Sequence, residues 1–348
     1  MKIVHVIFSF CNGGAENMLV DIMNKQVKKE QVTLIVINNL INKELIDRID
    51  NKVKVIPIGR KENSRNPLPI LKLNCLLIKH KPDVIHCHNE SIIRIILFKN
   101  KSVFTAHSMR LSTRNLKYYK KVLAISHAVK TDIEGRSTIK PILVYNGIDT
   151  NCIKQKSNYN IDTFRIVQIG RLDHTIKGQN VLLEALNLLV HVHGINNINV
   201  DFIGDGKCLE FLQNLARSYQ IENYVNFLGI KDRSYIYEHL RDYDLLLQPS
   251  FYEGFGLTIV EAMIAKVPVL SSNIDGPAEI IENGSYGFLF RVGNSEDCAR
   301  SIFDIISTYG SNEIKEKINA AYTRACKLFN IDVMVDTLRY TYLDINKS

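Results

Sequence analysis

Residues 245–263 read Leu245-Leu246-Leu247-Gln248-Pro249-Ser250-Phe251-Tyr252-Glu253-Gly254-Phe255-Gly256-Leu257-Thr258-Ile259-Val260-Glu261-Ala262-Met263. A short apolar run ending at Gln248 has the pattern of a strand buried on both faces. A loop carrying Gly254 and Gly256 follows, and a helix is predicted to begin near Leu257. The first N–H groups of that helix have no intrahelical acceptor and favour an anion. Glu253 falls in the loop; Glu261, eight residues on, sits just over one turn into the helix. Two carboxylates so spaced reach different parts of one ligand. Carboxylates accept paired hydrogen bonds from vicinal hydroxyls, a ribose diol among them.

Working outward, the same strand–loop–helix unit recurs. Strand-like runs are read at 164–169, 200–203, 225–228, 267–270 and 288–290 around this one, and at 3–8, 32–37, 53–58, 83–86, 103–105, 122–125 and 142–145 before it. Helical stripes lie between them, as in Ala15, Met18, Leu19, Ile22 and Met23, or Leu182, Ala185, Leu186 and Leu189. Strands alternating with helices imply doubly wound parallel sheets. The polar stretch 151–162 interrupts the series and reads as a linker. The expectation is an α/β chain of two Rossmann-like domains, 1–155 and 156–330, with a terminal helix over 331–348. Ligands in such sheets sit beyond the carboxyl ends of the strands, so the chemistry belongs just after them.

Three further post-strand segments stand out. Gly170-Arg171-Leu172 leads to Lys177-Gly178 before a helix. An Arg and a Lys so spaced can converge on one diphosphate, the first as a planar fork and the second as a point charge. Gly204-Asp205-Gly206 permits close approach of backbone to a nucleotide. Ser9-Phe10-Cys11-Asn12-Gly13-Gly14-Ala15-Glu16 opens the first helix. It matches neither Gly-x-Gly-x-x-Gly nor a Lys-Ser/Thr phosphate loop, and alone it describes only a tight turn. His174 reads as a loop residue without a role, and His86 and His88 as cleft-lining or structural.

Composition narrows the classes. Of 348 residues, 46% are hydrophobic and 23% charged, ordinary for a globular protein with two cores. The seven cysteines are scattered, with no Cys-x-x-Cys pair, which argues against a disulfide framework or zinc site and for a cytoplasmic protein. No apolar stretch approaches the ~18–20 residues of a membrane span. Residues 1–150 hold 25 Lys and Arg against 12 Asp and Glu, a net +13, whereas the remainder holds 19 against 24, a net −5. The two halves are thus expected to face different partners.

Taken in order along the chain, these segments resemble glycosyltransferase family 4, retaining enzymes of the GT-B fold. The resemblance rests on Gly13-Gly14-Ala15-Glu16, His107, Ser126, Asn146-Gly147-Ile148-Asp149, Gly170-Arg171-Leu172 with Lys177-Gly178, Gly204-Asp205-Gly206, Glu253 to Glu261, and Glu279 with Asn283-Gly284. It implies two sheets facing a central cleft, with the terminal helix crossing back to the first domain. It implies that Arg171 and Lys177, beside Gly170, Gly204 and Gly206, hold the diphosphate of a nucleotide-sugar. Glu261 would bind ribose, Glu253 the transferred sugar, and Phe255, Gly256 and Leu257 would offer backbone N–H groups. Gly14 would line the cleft from the first domain, and His107 would contact the sugar near its reacting carbon.

The expected reaction moves a hexose or N-acetylhexosamine from a nucleotide-sugar, a UDP-sugar above all, to a glycan or lipid-linked acceptor in cell-surface polysaccharide synthesis. No cofactor and no metal are expected. Asp242-Tyr243-Asp244 resembles a metal-binding Asp-x-Asp but precedes its strand, away from the expected cleft. The basic first half, with Arg110–Lys121 mixing cations and aromatics, suggests peripheral contact with anionic lipid at the inner membrane face. The same charge suits nucleic acid, but no recognition motif accompanies it. Rival readings are a nucleotide-sugar epimerase of similar architecture, a nicotinamide-dependent oxidoreductase and a non-catalytic sugar-nucleotide binder.

Overall fold

The computed structural model describes residues 1–11, 13–160 and 162–347, without the side chains of Asn346 and Lys347. Asn12 of the first glycine segment, Ile161 of the linker and Ser348 of the terminal helix lie outside the described residues.

The chain divides into two compact units. One comprises Met1–Asp149 with Leu328–Ser348, the other Thr150–Lys327. In the first unit the strands are β1 (Lys2–Ile7), β2 (Gln31–Asn38), β3 (Lys54–Arg60), β4 (Val84–Cys87), β5 (Ser102–Ala106), β6 (Lys121–Ala124) and β7 (Ile142–Leu143). They form one sheet in the order β3-β2-β1-β4-β5-β6-β7, and every pair is parallel. The second unit holds β8 (Phe164–Ile169), β9 (Ile198–Ile203), β10 (Val225–Phe227), β11 (Leu245–Gln248), β12 (Val269–Ser272) and β13 (Phe288–Phe290). Their order is β10-β9-β8-β11-β12-β13, again all parallel.

Both orders reverse direction at the unit's first strand. The switch points fall between β1 and β4 and between β8 and β11, and it is there that loops part and leave a crevice at the strands' carboxyl ends. Gly13-Gly14 and His88 follow β1 and β4; Gly170-Arg171 and Pro249–Phe255 follow β8 and β11. These segments therefore flank the two switch points, while Gly204-Asp205-Gly206 and His107 follow β9 and β5, each one strand further out.

The sheets hold because helices cover them. Helix Gln179–His191 buries Leu182, Ala185, Leu186 and Leu189 against Phe164, Ile166 and Phe202 of β8 and β9 and Leu245 and Leu247 of β11. Each of these leucines contributes about 1.5–3 kcal/mol on burial. Helix Gly14–Gln26 buries Met18, Leu19, Ile22 and Met23, and also Gln26 in its last turn. Against it packs the terminal helix Ile331–Lys347, which buries Met334, Leu338, Tyr342 and Ile345. Ion pairs fasten that helix at its rim: Lys25 to Asp332 at 3.1 Å, Arg339 to Glu30 at 2.9 Å and Lys121 to Asp344 at 2.8 Å. Among the described residues no helix is long and apolar enough to cross a membrane.

Candidate active site

In the second unit the site begins at the end of β8. Arg171 is exposed, and its guanidinium has no hydrogen-bond partner among the described residues; its carbonyl accepts from Gln179 Nε2 at 3.0 Å, which fixes the backbone beneath it. The segment after it is a one-turn helix, His174–Lys177, rather than the loop read from the sequence. Asp173 opens that turn and accepts from the Thr175 hydroxyl at 2.7 Å, which together with Lys207 lowers its pKa. His174 stacks on Phe211 and lies 3.3 Å from Cys208 Sγ, so its partners are structural.

The loop after β11 is stitched onto this turn. Phe251 N donates to Ile176 O at 2.9 Å, and Pro249 O lies so close to Gly178 that an added Cβ there would meet it at 1.9 Å. Gly178, at φ +66°, thus serves as the point of contact between two loops. The stitching brings Lys177 Nζ to 2.5 Å from Glu253 Oε2, with both side chains about one-fifth exposed. Gln248 anchors the same loop from inside. Its Nε2 donates to Ser250 Oγ at 2.9 Å and to Glu253 Oε2 at 3.4 Å, and its Oε1 accepts from Thr258 Oγ1 at 3.2 Å. The sequence reading used Gln248 only as the end of a strand.

Helix Leu257–Ile264 starts at Leu257, capped by Gly256 in the left-handed region, with Phe255 buried just before it. Glu261 is 8% exposed on this helix, an ionisable group drawn into the unit's interior beside the loop. Gly204, at φ +140°, lets the β9 loop touch the β8 loop: a Cβ there would sit 2.0 Å from Gly170 O. Gly206 follows in the same loop. Gly170, Arg171, Lys177, Gly204, Gly206, Glu253, Phe255, Gly256, Leu257 and Glu261 thus all belong to one unit, on the loops and helix starts beyond the carboxyl ends of β8, β9 and β11.

Asp244 is spent elsewhere. Its carboxylate accepts from Arg165 N at 2.9 Å and Tyr309 OH at 3.0 Å and pairs with Lys156 at 2.9 Å, at the opposite end of β11. Asp242 pairs with His239. Both carboxylates have structural partners.

Gly14 and His107 belong to the first unit. Gly14 is exposed as the first residue of helix Gly14–Gln26. His107 follows β5, half-buried, and burial lowers its pKa to about 4. Its Nε2 lies 3.4 Å from His88 Nδ1, and His88 Nε2 lies 3.0 Å from His5 Nδ1. His86 stacks on His88 at 4.5 Å. Burial, then the neighbouring histidines, holds His86 and His88 well below the usual imidazole range. The sequence reading passed over His5, yet one polar residue inside Lys2–Ile7, a strand otherwise apolar beyond its first residue, was the available signal. Ser126 caps helix His127–Arg136 by accepting from Val129 N at 3.0 Å, and Ile148 bridges to Asn330, so two of the motif segments serve the unit's architecture.

Comparison with known proteins agrees with this arrangement. The family model for glycosyl transferases group 1 matches residues 149–324, and that for glycosyltransferase family 4 matches residues 12–151. An uncharacterized glycosyltransferase of Methanocaldococcus jannaschii is 23% identical over 78% of this chain and 71% of its own length. The N-acetylgalactosamine-N,N'-diacetylbacillosaminyl-diphospho-undecaprenol 4-alpha-N-acetylgalactosaminyltransferase of Campylobacter jejuni is 24% identical over 96% of this chain and 97% of its own. Among solved structures, HepE of Anabaena in complex with UDP and glucose superposes with a TM-score of 0.82 at 22% identity, over 99% of this chain and all of that one. Two parallel sheets, each switched at its first strand, and two family models that cover them in turn lead to one assignment: the chain belongs to the group 1 glycosyl transferases and is a glycosyltransferase of the GT-B fold.

Proposed function

We propose that this glycosyltransferase is retaining and metal-independent, and that it moves a hexose or N-acetylhexosamine from a UDP-sugar to a glycan or lipid-linked acceptor in cell-surface polysaccharide synthesis. The observation that carries the reading is the Lys177–Glu253 pair, with the guanidinium of Arg171, unpaired among the described residues, and the start of helix Leu257–Ile264 in the same unit. Leaving-group departure builds negative charge on a diphosphate. Arg171, Lys177 and the N–H groups of Phe255, Gly256 and Leu257 supply fixed positive potential for it. Glu253, released from Lys177 when the diphosphate takes that ammonium, accepts from sugar hydroxyls, and Glu261 accepts from the ribose diol. HepE bound to UDP and glucose supports the donor class, and the undecaprenol-linked substrate in the Campylobacter enzyme's name supports the acceptor class.

In the proposed front-face step, the bond from the sugar's anomeric carbon to the diphosphate oxygen breaks and a bond to the acceptor oxygen forms on the same face. The acceptor's proton passes to the departing phosphate oxygen. His107 faces the sugar as a neutral ring. Donor turnover with the chelator EDTA present tests the charge argument. Full activity is expected; activity that vanishes and returns only with added divalent ions overturns it. A His107→Ala variant should lose most of kcat, and unchanged kcat removes that residue from the site.

Peripheral membrane contact is part of the proposal. On helix Leu68–His80, Leu68, Leu71, Cys75 and Ile78 line one exposed face at helical spacing, beside exposed Lys72 and Lys79. Exposed Tyr118 sits under Lys99 and Lys117. An apolar stripe bordered by cations suits an anionic interface. Cosedimentation with phosphatidylglycerol vesicles, weakened by salt and by Leu71→Glu, is the expected result; no binding at low salt overturns this part.

A further inference from the structure

Four histidines of the first unit, His5, His86, His88 and His107, form a continuous hydrogen-bonded network, of which the transfer chemistry above uses only His107. It crosses three neighbouring strands, from His107 after β5 to His88 after β4 to His5 within β1, and leaves the sheet at Gln26, whose Oε1 lies 2.8 Å from His5 Nε2. Gln26 Nε2 donates to Tyr342 OH at 3.4 Å, and that hydroxyl lies 2.6 Å from His86 Nδ1. His86 Nε2 ends the branch 2.7 Å from Thr105 Oγ1. The His107 end of the network is thus linked to the terminal helix, which carries Tyr342.

His5, His86 and His88 bring three ring nitrogens within 4.8 Å of one another, a spacing that also suits a metal ion. Yet all six of their ring nitrogens already face a protein partner, so the arrangement is a satisfied hydrogen-bond network.

Such a network has a direction. A neutral imidazole donates from one nitrogen and accepts at the other. Burial keeps His5, His86, His88 and His107 neutral. With the Gln26 carbonyl toward His5, His5 must donate from Nε2 and accept at Nδ1. His88 must then donate from Nε2 and accept at Nδ1, and His107 must donate from Nε2. His107 Nδ1 is left as a bare acceptor, the form that accepts a hydrogen bond from a sugar hydroxyl. Turning the Gln26 amide around reverses every link. Tyr342 holds the amide in the observed sense: its hydroxyl accepts from Gln26 Nε2, which leaves the hydroxyl proton for His86 Nδ1, 2.6 Å away.

We propose that Gln26 and Tyr342 are positioning residues for His107, holding its ring through His5 and His88 in the Nε2–H tautomer. The value of that tautomer to transfer rests on the reading of His107 as a sugar contact; the tautomer itself does not, because it is read without substrate.

The test uses the full chain with 15N-labelled histidine and long-range proton–nitrogen spectra near pH 7.5. In the parent protein His107 is expected to favour Nε2–H by about tenfold or more. Tyr342→Phe and Gln26→Met, on different helices, should each bring it to within about threefold of an even mixture. Leu338→Ala removes a buried side chain of the terminal helix that makes none of the network's hydrogen bonds and should leave His107 as it was. The proposal is overturned if the parent already shows a mixture or the opposite tautomer. It also falls if Leu338→Ala shifts His107 as much as Tyr342→Phe, if both network variants keep the parent tautomer, or if the purified chain carries stoichiometric metal that His88→Asn removes.

Discussion

The two units share one sheet topology but fix their working residues by opposite means. In the second, backbone meets backbone: Gly204 against Gly170 and Gly178 against Pro249 leave no room for a methyl group, and the charged pair Lys177–Glu253 rests on those contacts. In the first, neutral imidazoles and one amide are linked side chain to side chain across the sheet. The difference teaches where each is vulnerable. The second unit's site depends on shape and formal charge. The first depends on protons staying off its rings.

The comparison breaks most visibly at Gly204. Gly204→Ala places a methyl 2.0 Å from a carbonyl oxygen at a left-handed φ, and should destabilise the second unit by about 3–5 kcal/mol at every pH, read by urea unfolding. Next comes Arg171→Ala, expected to lower kcat roughly 10²–10³-fold, about 3–4 kcal/mol of transition-state stabilisation, with the fold intact by circular dichroism. A normal rate in this variant would remove the fixed-charge argument.

Acid should then sharpen the contrast. His5 titrates near 4 in the folded protein against 6.5 unfolded, because burial disfavours its charge. As pH falls below 6.5 the unfolded chain takes up the proton first, so stability present above that pH declines toward pH 4. His5 alone accounts for about 3 kcal/mol of that decline. Unfolding of the first unit, followed by hydrogen exchange, should move through this window, and His5→Leu should flatten its slope. The smallest effect belongs to the rim. Asp344→Asn removes an exposed partner of Lys121 and should cost under about 1 kcal/mol, less in high salt.

Much of the architecture was legible because both faces of each sheet are covered. Strands such as Leu245–Gln248 read as unbroken apolar runs, and their lengths are nearly those observed. Where polar residues continue a strand the reading stops short. The run at 267–270 becomes Val269–Ser272, since Ser271 and Ser272 stay in the sheet and donate to Gln248 O and Ser250 O. The second unit's site was legible for a related reason: glycines and charges cluster after strands within a few residues of one another. The first unit's network was not. His5 and His88 lie 83 residues apart and Gln26 and Tyr342 316 apart, and nothing local marks a buried glutamine or a helical tyrosine as members of one chain. Only the sheet order, with β1 beside β4 and β4 beside β5, places them together.

The first unit is interrupted: the polypeptide leaves it after Asp149 and returns at Leu328. During synthesis the ribosome therefore completes the intervening unit before the segment that closes the earlier one has been made. Until Tyr342 emerges, the face of helix Gly14–Gln26 that it covers stays open to solvent, Gln26 lacks the hydroxyl that orients it, and its amide is free to point either way. The half of the protein translated first is the half that matures last, and an early release of the nascent chain leaves a finished second unit joined to an unfinished first.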